Sequence, residues 1–345
     1  MAIVINGSGT VTGLAVGGLP DGTVDSGTLA TNSVDSAELI DGAVDDSHMA
    51  SISGRKNILI NGDYRISQRG DYTSATSVTN GAYLLDRAKN YLVGVTGTAQ
   101  QLTNQVVNGT YENTWKYVAT SSASGRIGSY QLVEDWYKGE TLTLSAWVKS
   151  NNANARIVVY DGATNTSSST HTGGGAWEKL TVTATQSASA GQLYVYSAII
   201  SSSVGSVSIS SSDYIETAMF QLERGSTATD FERRHTGEEL ALCQRYFVKF
   251  PSGAGYFAGN AVGSNRIDTG FPLSVPLRTV PSVESNGYLT HRSGNANSSA
   301  NQITTDPYNG LSSSIKLRCG GHSVTDEVAY VITIFSADLN LDAEL

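Results

Sequence analysis

From residue 115 to residue 222 the chain alternates short apolar runs with turns, and that spacing restricts the fold more than any other feature. The runs are 115–120, 129–133, 141–149, 156–160, 178–184, 192–200, 204–209 and 214–222, separated by Gly, Ser and Asn. Five to nine residues cross a sheet once, whereas a helix needs ten or more. Within 141–149, Leu142, Leu144, Ala146 and Val148 fall on one face, and Thr143, Ser145, Trp147 and Lys149 on the other. The segment is therefore expected to be a β-sandwich, of jelly-roll type, and the chain as a whole mainly β. With 345 residues there is room for two or three domains, and charged residues at 15% and 17 Tyr agree with a loop-rich β protein.

The first fifty residues are of another kind. They repeat with a period of ten: DGTVDSGTLA (21–30), TNSVDSAELI (31–40) and DGAVDDSHMA (41–50). Val24, Val34 and Val44 recur in step, and Leu29, Leu39 and Met49 hold the second apolar place. Two apolar side chains per ten residues do not close a core within one chain, so these six are expected to be pooled between copies in a homo-oligomer. The competing reading is a disordered acidic linker. Asp21, Asp25, Asp35, Glu38, Asp41, Asp45 and Asp46, with no Lys or Arg among them, carry seven of the nine net negative charges. Nowhere is there a basic stripe to draw nucleic acid by counterion release. An apolar run of the ~18 residues a membrane span requires is also missing, as is a secretion signal, so synthesis and retention in the cytoplasm are expected.

Other segments carry local signals. Residues 56–66 read as the first strand of the middle domain, with a bulge or turn at Asn61-Gly62-Asp63. Residues 83–95 hold further apolar runs, and Lys138-Gly139 marks a tight turn. Residues 226–235 should run extended, and Thr236 with Glu239 predicts a capping box opening a short helix over 236–246. Beyond it, 245–249, 314–318 and 327–335 read as strands, 271–277 as an edge strand because of its prolines, and 293–302 as a long polar loop. The cysteines, Cys243 and Cys319, make no disulfide framework, and Cys243 is expected as a buried small hydrophobe.

The same two-residue period sorts the aromatics. Trp147, Tyr160, Tyr194 and Tyr196 all oppose the apolar face of their runs and form a candidate glycan-stacking set. The alternative is that a neighbouring layer covers them. Trp177 reads as a structural plug, and Trp136 and Tyr137 as either. Catalytic patterns are lacking: Glu134/Asp135 and Glu238/Glu239 are adjacent and diverge, the five His show no metal spacing, and no G-x-S-x-G elbow or P-loop occurs. In the last domain Tyr288, His291, Arg292 and Tyr308 flank the polar loop and form a candidate receptor-binding tip.

Three stretches carry a family resemblance. YIETAMFQLERGSTATDFE with the following RRHTGEELALCQRYF (214–247) resembles the closing strand and exit of carbohydrate-binding-module-like jelly rolls in bacteriophage tail fibres and virion structural proteins. GRKNILINGDYRISQRG (54–70) is similar to the entry strand of that module, and ADLNLDAEL (337–345) agrees more loosely. Where the family carries Asp-Arg-Trp, this chain has Asp86-Arg87-Ala88. The resemblance implies an oligomeric, commonly trimeric, virion component that attaches to other phage tail or baseplate proteins at its N-terminus and to a host glycan or protein. It also implies a structural Ca2+ to which Asp161 or Asp213 would contribute; otherwise no cofactor is expected. The expected organisation is 1–53, an extended acidic segment for attachment and oligomerisation; 54–235, the jelly roll; 236–246, a linker helix; and 247–345, a smaller C-terminal β-sandwich acting as tip. A polysaccharide depolymerase and a secreted carbohydrate-binding module or adhesin are the alternatives.

Overall fold

In the computed structural model, backbone and side chains are described for residues 55–251, 272–283 and 338–344, and backbone alone for the strands named below in 1–54 and 256–334. The chain divides into two compact units, Met1–Gly54 and Arg55–Leu345. In the first, β1 (Val4–Ile5) pairs antiparallel with β2 (Val11–Thr12). The six repeat positions Val24, Leu29, Val34, Leu39, Val44 and Met49 lie outside the described residues.

The second unit opens with the sandwich. Its strands are β3 (Thr76–Ser77), β4 (Lys89–Val93), β5 (Gly97–Val107), β6 (Thr110–Ala119), β7 (Ala123–Val133) and β8 (Thr141–Ser150). They continue with β9 (Ala155–Tyr160), β10 (Asn165–Ser167), β11 (Trp177–Thr185), β12 (Leu193–Ile199), β13 (Val207–Ile209) and β14 (Tyr214–Arg224). One sheet runs β10-β9-β12-β7-β13 with β4 also on β7, and the other runs β11-β8-β14-β6-β5-β3. The expected mainly-β sandwich is the fold found. Inward side chains from both sheets, among them Leu142, Leu144, Ile157, Val159, Leu193, Val195 and Leu222, form one buried core. Alternation located β8, β9, β11, β12 and β14 to within two residues, caught only part of β6 and β7, began too early for β13, and passed over β3 and β10. It missed β5, whose GTAQQLTNQVV reads as polar although its alternate residues Gly97, Ala99 and Gln101 are buried.

Residues 56–66 are not a strand. They form an irregular segment stitched onto the central strand β14, whose ladder with β8 shifts register between Ala218 and Gln221, with Met219 at φ 51°. Such a bulge frees backbone groups that must find other partners. Phe220 N donates to Gly62 O (2.8 Å), Asn57 Nδ2 to Phe220 O (3.2 Å), Ile58 N to Leu222 O (2.8 Å) and Leu222 N to Asn57 Oδ1 (3.1 Å). Gly62 is needed for closeness alone: a Cβ there would sit 2.0 Å from Phe220 O.

The next layer clamps that segment. Residues 226–235, expected to run extended, bend at Ser226 and Thr227 and then form neither helix nor strand up to His235, and α1 (Thr236–Gln244) follows. Its N-cap is His235, whose Nδ1 accepts from Gly237 N, and not Thr236. The expected capping box does not form because Glu239 turns inward: its Oε1 accepts from Asn61 N (2.6 Å), and Arg234 pairs with it at 3.3 Å. Arg234 also donates to Leu59 O (2.9 Å), and Glu232 Oε2 accepts from Asn57 N (2.6 Å). Cys243 is fully buried, and burial pushes its thiol up.

After the helix come β15 (Phe247–Phe250), β16 (Tyr256–Ala261), β17 (Arg266–Pro272), β18 (Ser282–Ser285) and β19 (Leu289–Ser293). The last five are β20 (Ala296–Ala300), β21 (Gln302–Thr305), β22 (Ser314–Gly320), β23 (Ala329–Ile334) and β24 (Leu339–Asp342). They make a sheet β15-β24-β18 and a sheet β20-β19-β23-β16-β17-β22-β21. Two expectations are corrected. Of 271–277, expected as an edge strand, only Phe271 and Pro272 are strand, as the end of β17 where it pairs with β22 alone, and 273–277 is irregular. The stretch expected as a polar loop contains β20, which pairs with β19. The three-stranded sheet is tied to the sandwich by arginines: Arg69 pairs with Asp342 (2.9 Å) and stacks on Phe247 (3.8 Å), while Arg87 binds Glu344, donates to Leu132 O (2.6 Å) and stacks on Tyr246 (3.7 Å).

Gly62→Ala should lower the unfolding free energy by about 2 kcal/mol, read by denaturant titration, because the new methyl must break the Phe220 stitch. A second expectation concerns Asp86, buried between Gln68 and the arginines. Burial raises its carboxyl to about 6, against the hydrogen bonds from Gln68 that lower it. The folded chain then holds this proton more tightly than the unfolded chain, whose Asp titrates near ~3.9. Stability from this group is therefore present at low pH and lost as pH rises through about 6. The stability of Asp86→Asn relative to the parent should improve between pH 4 and pH 7, by up to roughly 3 kcal/mol, whatever its constant cost.

Candidate functional site

The outer faces of the two sheets differ, and that difference divides the four expected stacking residues. In the first sheet, β9 and β12 place Tyr160 beside Tyr194, and β12 and β7 place Tyr196 beside Tyr130. Successive residues of β12 then send Leu193, Val195 and Ile199 into the core and Tyr194 and Tyr196 outward. β4 adds Tyr91 opposite Gly128 of β7. Gly128 lets β7 lie close against β12: a Cβ there would stand 2.3 Å from Ser197 O and 2.5 Å from Ala198 Cα.

The result is a continuous row of five phenol rings. Tyr160 and Tyr194 lie 5.9 Å apart with their planes 34° from parallel, and Tyr194 and Tyr196 lie 6.3 Å apart at 22°. Tyr130 sits 5.4 Å from Tyr196 and 5.7 Å from Tyr194, and Tyr91 closes the row at 5.3 Å from Tyr196. Val158, Ala198 and Ile200 floor it. Tyr196 is the most enclosed, at 8% exposure, and the other four are half-buried. Burial first, and the neighbouring phenols second, push the Tyr130 and Tyr196 hydroxyls above the ordinary range, so these two stay protonated at physiological pH. Tyr194 and Tyr196 thus come nearest to parallel, Tyr160 and Tyr130 are tilted from them, and Tyr91 stands edge-on to Tyr130 at 87°; such rings combine flat apolar faces with polar rims.

Trp147 does not join them. It points from β8 to the outer face of the second sheet, where it packs with Trp177, Val107, Met219 and Phe231. That face is roofed by the 226–235 segment: Glu232 N donates to Gln221 Oε1 (2.8 Å) and Gln221 Nε2 to Asp230 O (3.3 Å). Trp177 is thus a packing residue, as expected. Trp136 is 43% exposed beside Lys138. Tyr91 and Tyr130 were not singled out from the sequence, although the alternation that flagged Tyr194 applies equally to Tyr130 in SYQLV and Tyr91 in KNYLV. In the expected tip, His291 and Arg292 lie on β19, and Tyr288 and Tyr308 lie outside the described residues.

The buried carboxylates are engaged in structure. Glu112 is held by Arg233 (2.7 Å), Glu216 by Thr114 Oγ1 (2.7 Å), Glu223 by Thr229 Oγ1 (2.6 Å), Asp63 by Arg65, and Asp86 by Gln68 (2.7 Å). The residues suggested for Ca2+ do not fit a cation. Asp161 accepts from the backbone N–H of Ala163, Thr164 and Ser187, and Asp213 Oδ2 accepts from Ser210 N and Asn152 Nδ2. Burial raises the Asp161 carboxyl, but these N–H bonds outweigh it and hold it below its ordinary value. Among the described residues no three His, Cys, Asp or Glu side chains converge as a metal site, and no helix is long and apolar enough to cross a membrane. A depression of about 480 Å3 lined by Ser67, Gln68, Gly70, Asp71, Lys249 and Pro251 shares no residue with the tyrosine row and has no aromatic wall.

No family model matches the chain, and no curated protein matches it significantly in sequence. Among solved structures it is similar to the enzymatically active domain of tailspike protein 4 of bacteriophage CBA120, at 12% identity and TM-score 0.34, over 49% of this chain and 21% of that one. The chain thus spans about a fifth of that tailspike domain. It is also similar to the tandem CBM22-1–CBM22-2 domain of Paenibacillus barcinonensis Xyn10C, at 13% identity and TM-score 0.29, over 81% of this chain and 99% of that one. A putative sugar binding protein from Bacteroides thetaiotaomicron matches at 12% identity and TM-score 0.29, over 49% of this chain and 100% of that one.

Since hydrogen-bond donors already fill Asp161 and Asp213, the thermal midpoint of the sandwich should be the same in EDTA as in millimolar Ca2+, checked by calorimetry.

Proposed function

We propose that this chain is a structural component of a bacteriophage tail, oligomeric and without catalytic activity, that adsorbs to a surface glycan through the tyrosine row. The observation that carries the binding part is the row itself: five rings across β4, β7, β9 and β12, four of them half-exposed. A pyranose ring offers one face of C–H groups and a rim of hydroxyls, which suits an aromatic face bordered by polar groups. On the opposite sheet Trp147 and Trp177 pack with Met219 and Phe231 beside the 226–235 segment and do not form such a row. Binding without catalysis agrees with the buried carboxylates, each engaged by a donor of the protein itself.

The tail assignment is supported by the sequence resemblance of residues 54–70 and 214–247, which meet in the structure at the β14 bulge. The acidic ten-residue repeat supports self-association, with a trimer as the proposed state and the N-terminal segment as the particle-facing end. On this reading the protein resides in the virion. Light scattering of the full chain tests the oligomer: a monomer at micromolar concentration removes that part.

Binding is tested with the purified full chain on immobilised surface polysaccharides. Tyr194→Ala should weaken binding about tenfold, the loss of one stacked ring. Trp147→Ala, on the other sheet, should leave affinity unchanged once its folding is verified by circular dichroism. Loss of binding in Trp147→Ala together with full binding in Tyr194→Ala would place the site on the wrong sheet.

A further inference from the structure

The tyrosine sheet has a charge character that the stacking argument does not use. The protein carries a net charge of −9, and the second sheet of the sandwich holds Glu112, Glu178, Glu216 and Glu223. The six strands of the first sheet contain no Asp or Glu; their charged residues are Lys89, Arg126 and Arg156. Register puts all three cations on the tyrosine face. Lys89 is opposite Tyr130, Arg126 is opposite Val93 next along β4 from Tyr91, and Arg156 is opposite Ala198, two residues from Tyr196.

The two arginines differ from the others in the sandwich. Arg65, Arg69, Arg87, Arg233 and Arg234 each pair with a carboxylate of the protein. Arg126 instead donates to the Tyr91 hydroxyl, lies over that ring at 5.6 Å, and has a buried Nε without a hydrogen-bond partner. The Nε of Arg156 is likewise buried and without a partner, and no salt bridge of the described residues involves that side chain. Burial alone acts on its guanidinium and pushes it below its ordinary value. Half-buried cations left without counter-ions beside a stacking surface favour an anion brought by the ligand.

We infer that the tyrosine row takes an acidic polysaccharide, with sugar faces on Tyr194 and Tyr196 and a sugar carboxylate at Arg126 and Arg156. The inference rests on the glycan-binding reading and adds the charge class of its ligand. A uronate polymer satisfies both halves of the surface, since each residue offers a C–H face and a planar carboxylate matched to the guanidinium fork.

The test uses the full chain against polygalacturonate, alginate and hyaluronan, each beside its carboxyl-reduced form, with dextran sulfate as a generic polyanion. The parent should bind at least one acid polymer about tenfold more tightly than the reduced form, with affinity falling as salt rises. Arg156→Gln should abolish that preference while leaving affinity for the reduced polymer and the thermal midpoint unchanged; Arg126→Gln, which also loses its bond to the Tyr91 hydroxyl, should abolish the preference too. Tyr194→Ala should weaken both forms. Equal binding of acid and reduced polymers overturns the acidic-ligand inference and leaves the glycan reading standing. Equally tight binding of dextran sulfate, insensitive to Tyr194→Ala, overturns it in favour of unspecific charge attraction. Binding to none of the acid polymers also overturns it, and if a neutral glycan is bound through Tyr194 the site is retained as an uncharged one.

Discussion

The sandwich depends on the stitch between the irregular segment 55–66 and the bulge of β14. A central strand buried on both faces must pair all its backbone groups, and β14 breaks its ladder at Ala218–Gln221. Gly62, Asn57 and Ile58 take the places a regular strand would have filled. Around this stitch the chain adds Arg234, Glu232 and Glu239, so the segment that enters the domain is held by the one that leaves it. The bulge also turns Met219 to the outer face, where it meets Trp147 and Trp177 under the 226–235 roof. One sheet is closed over in this way, and the tyrosine row is left to the other.

That asymmetry gives the two outer faces separate tasks. The roofed face is a packing surface of indoles, Met and Phe, with its acids neutralised from within, as Arg233 does for Glu112. The tyrosine face has polar-rimmed rings, cations and no acid strand residues. A half-buried guanidinium without a carboxylate is costly in a free protein, and such cost is commonly kept where a ligand relieves it.

Much of this was legible beforehand. Two-residue alternation placed the core strands because Leu142, Leu144, Ala146 and Val148 can only share a buried face, and it sent Tyr194 and Tyr196 outward for the same reason. It could not say which sheet a strand joins, and so grouped Trp147 with tyrosines that lie on the other sheet. It missed β5, whose buried positions are Gly, Ala and Gln, and read 56–66 as a strand, because apolar residues that plug a bulge look like residues that alternate. His235 displaced Thr236 as the cap because Glu239 had a stronger claim elsewhere, on Asn61 N and Arg234. The arginine contacts of Arg69 and Arg87 join residues more than two hundred and fifty positions apart and leave no local trace.

Those long-range contacts have a mechanical consequence. Gln68 bonds both Asp86 Oδ1 (2.7 Å) and Phe247 O (2.9 Å), and Arg69 reaches Asp342 one residue further on. The chain therefore enters the sandwich, leaves it toward β15 and returns along β24 at one corner. A pull at residue 55 passes at once into β14 and the helix clamp, through Asn57, Ile58 and Asn61, and a pull at residue 250 passes into β24 through its pairing with β15. Neither route begins on β4, β9 or β12, the strands that carry Tyr91, Tyr160, Tyr194 and Tyr196.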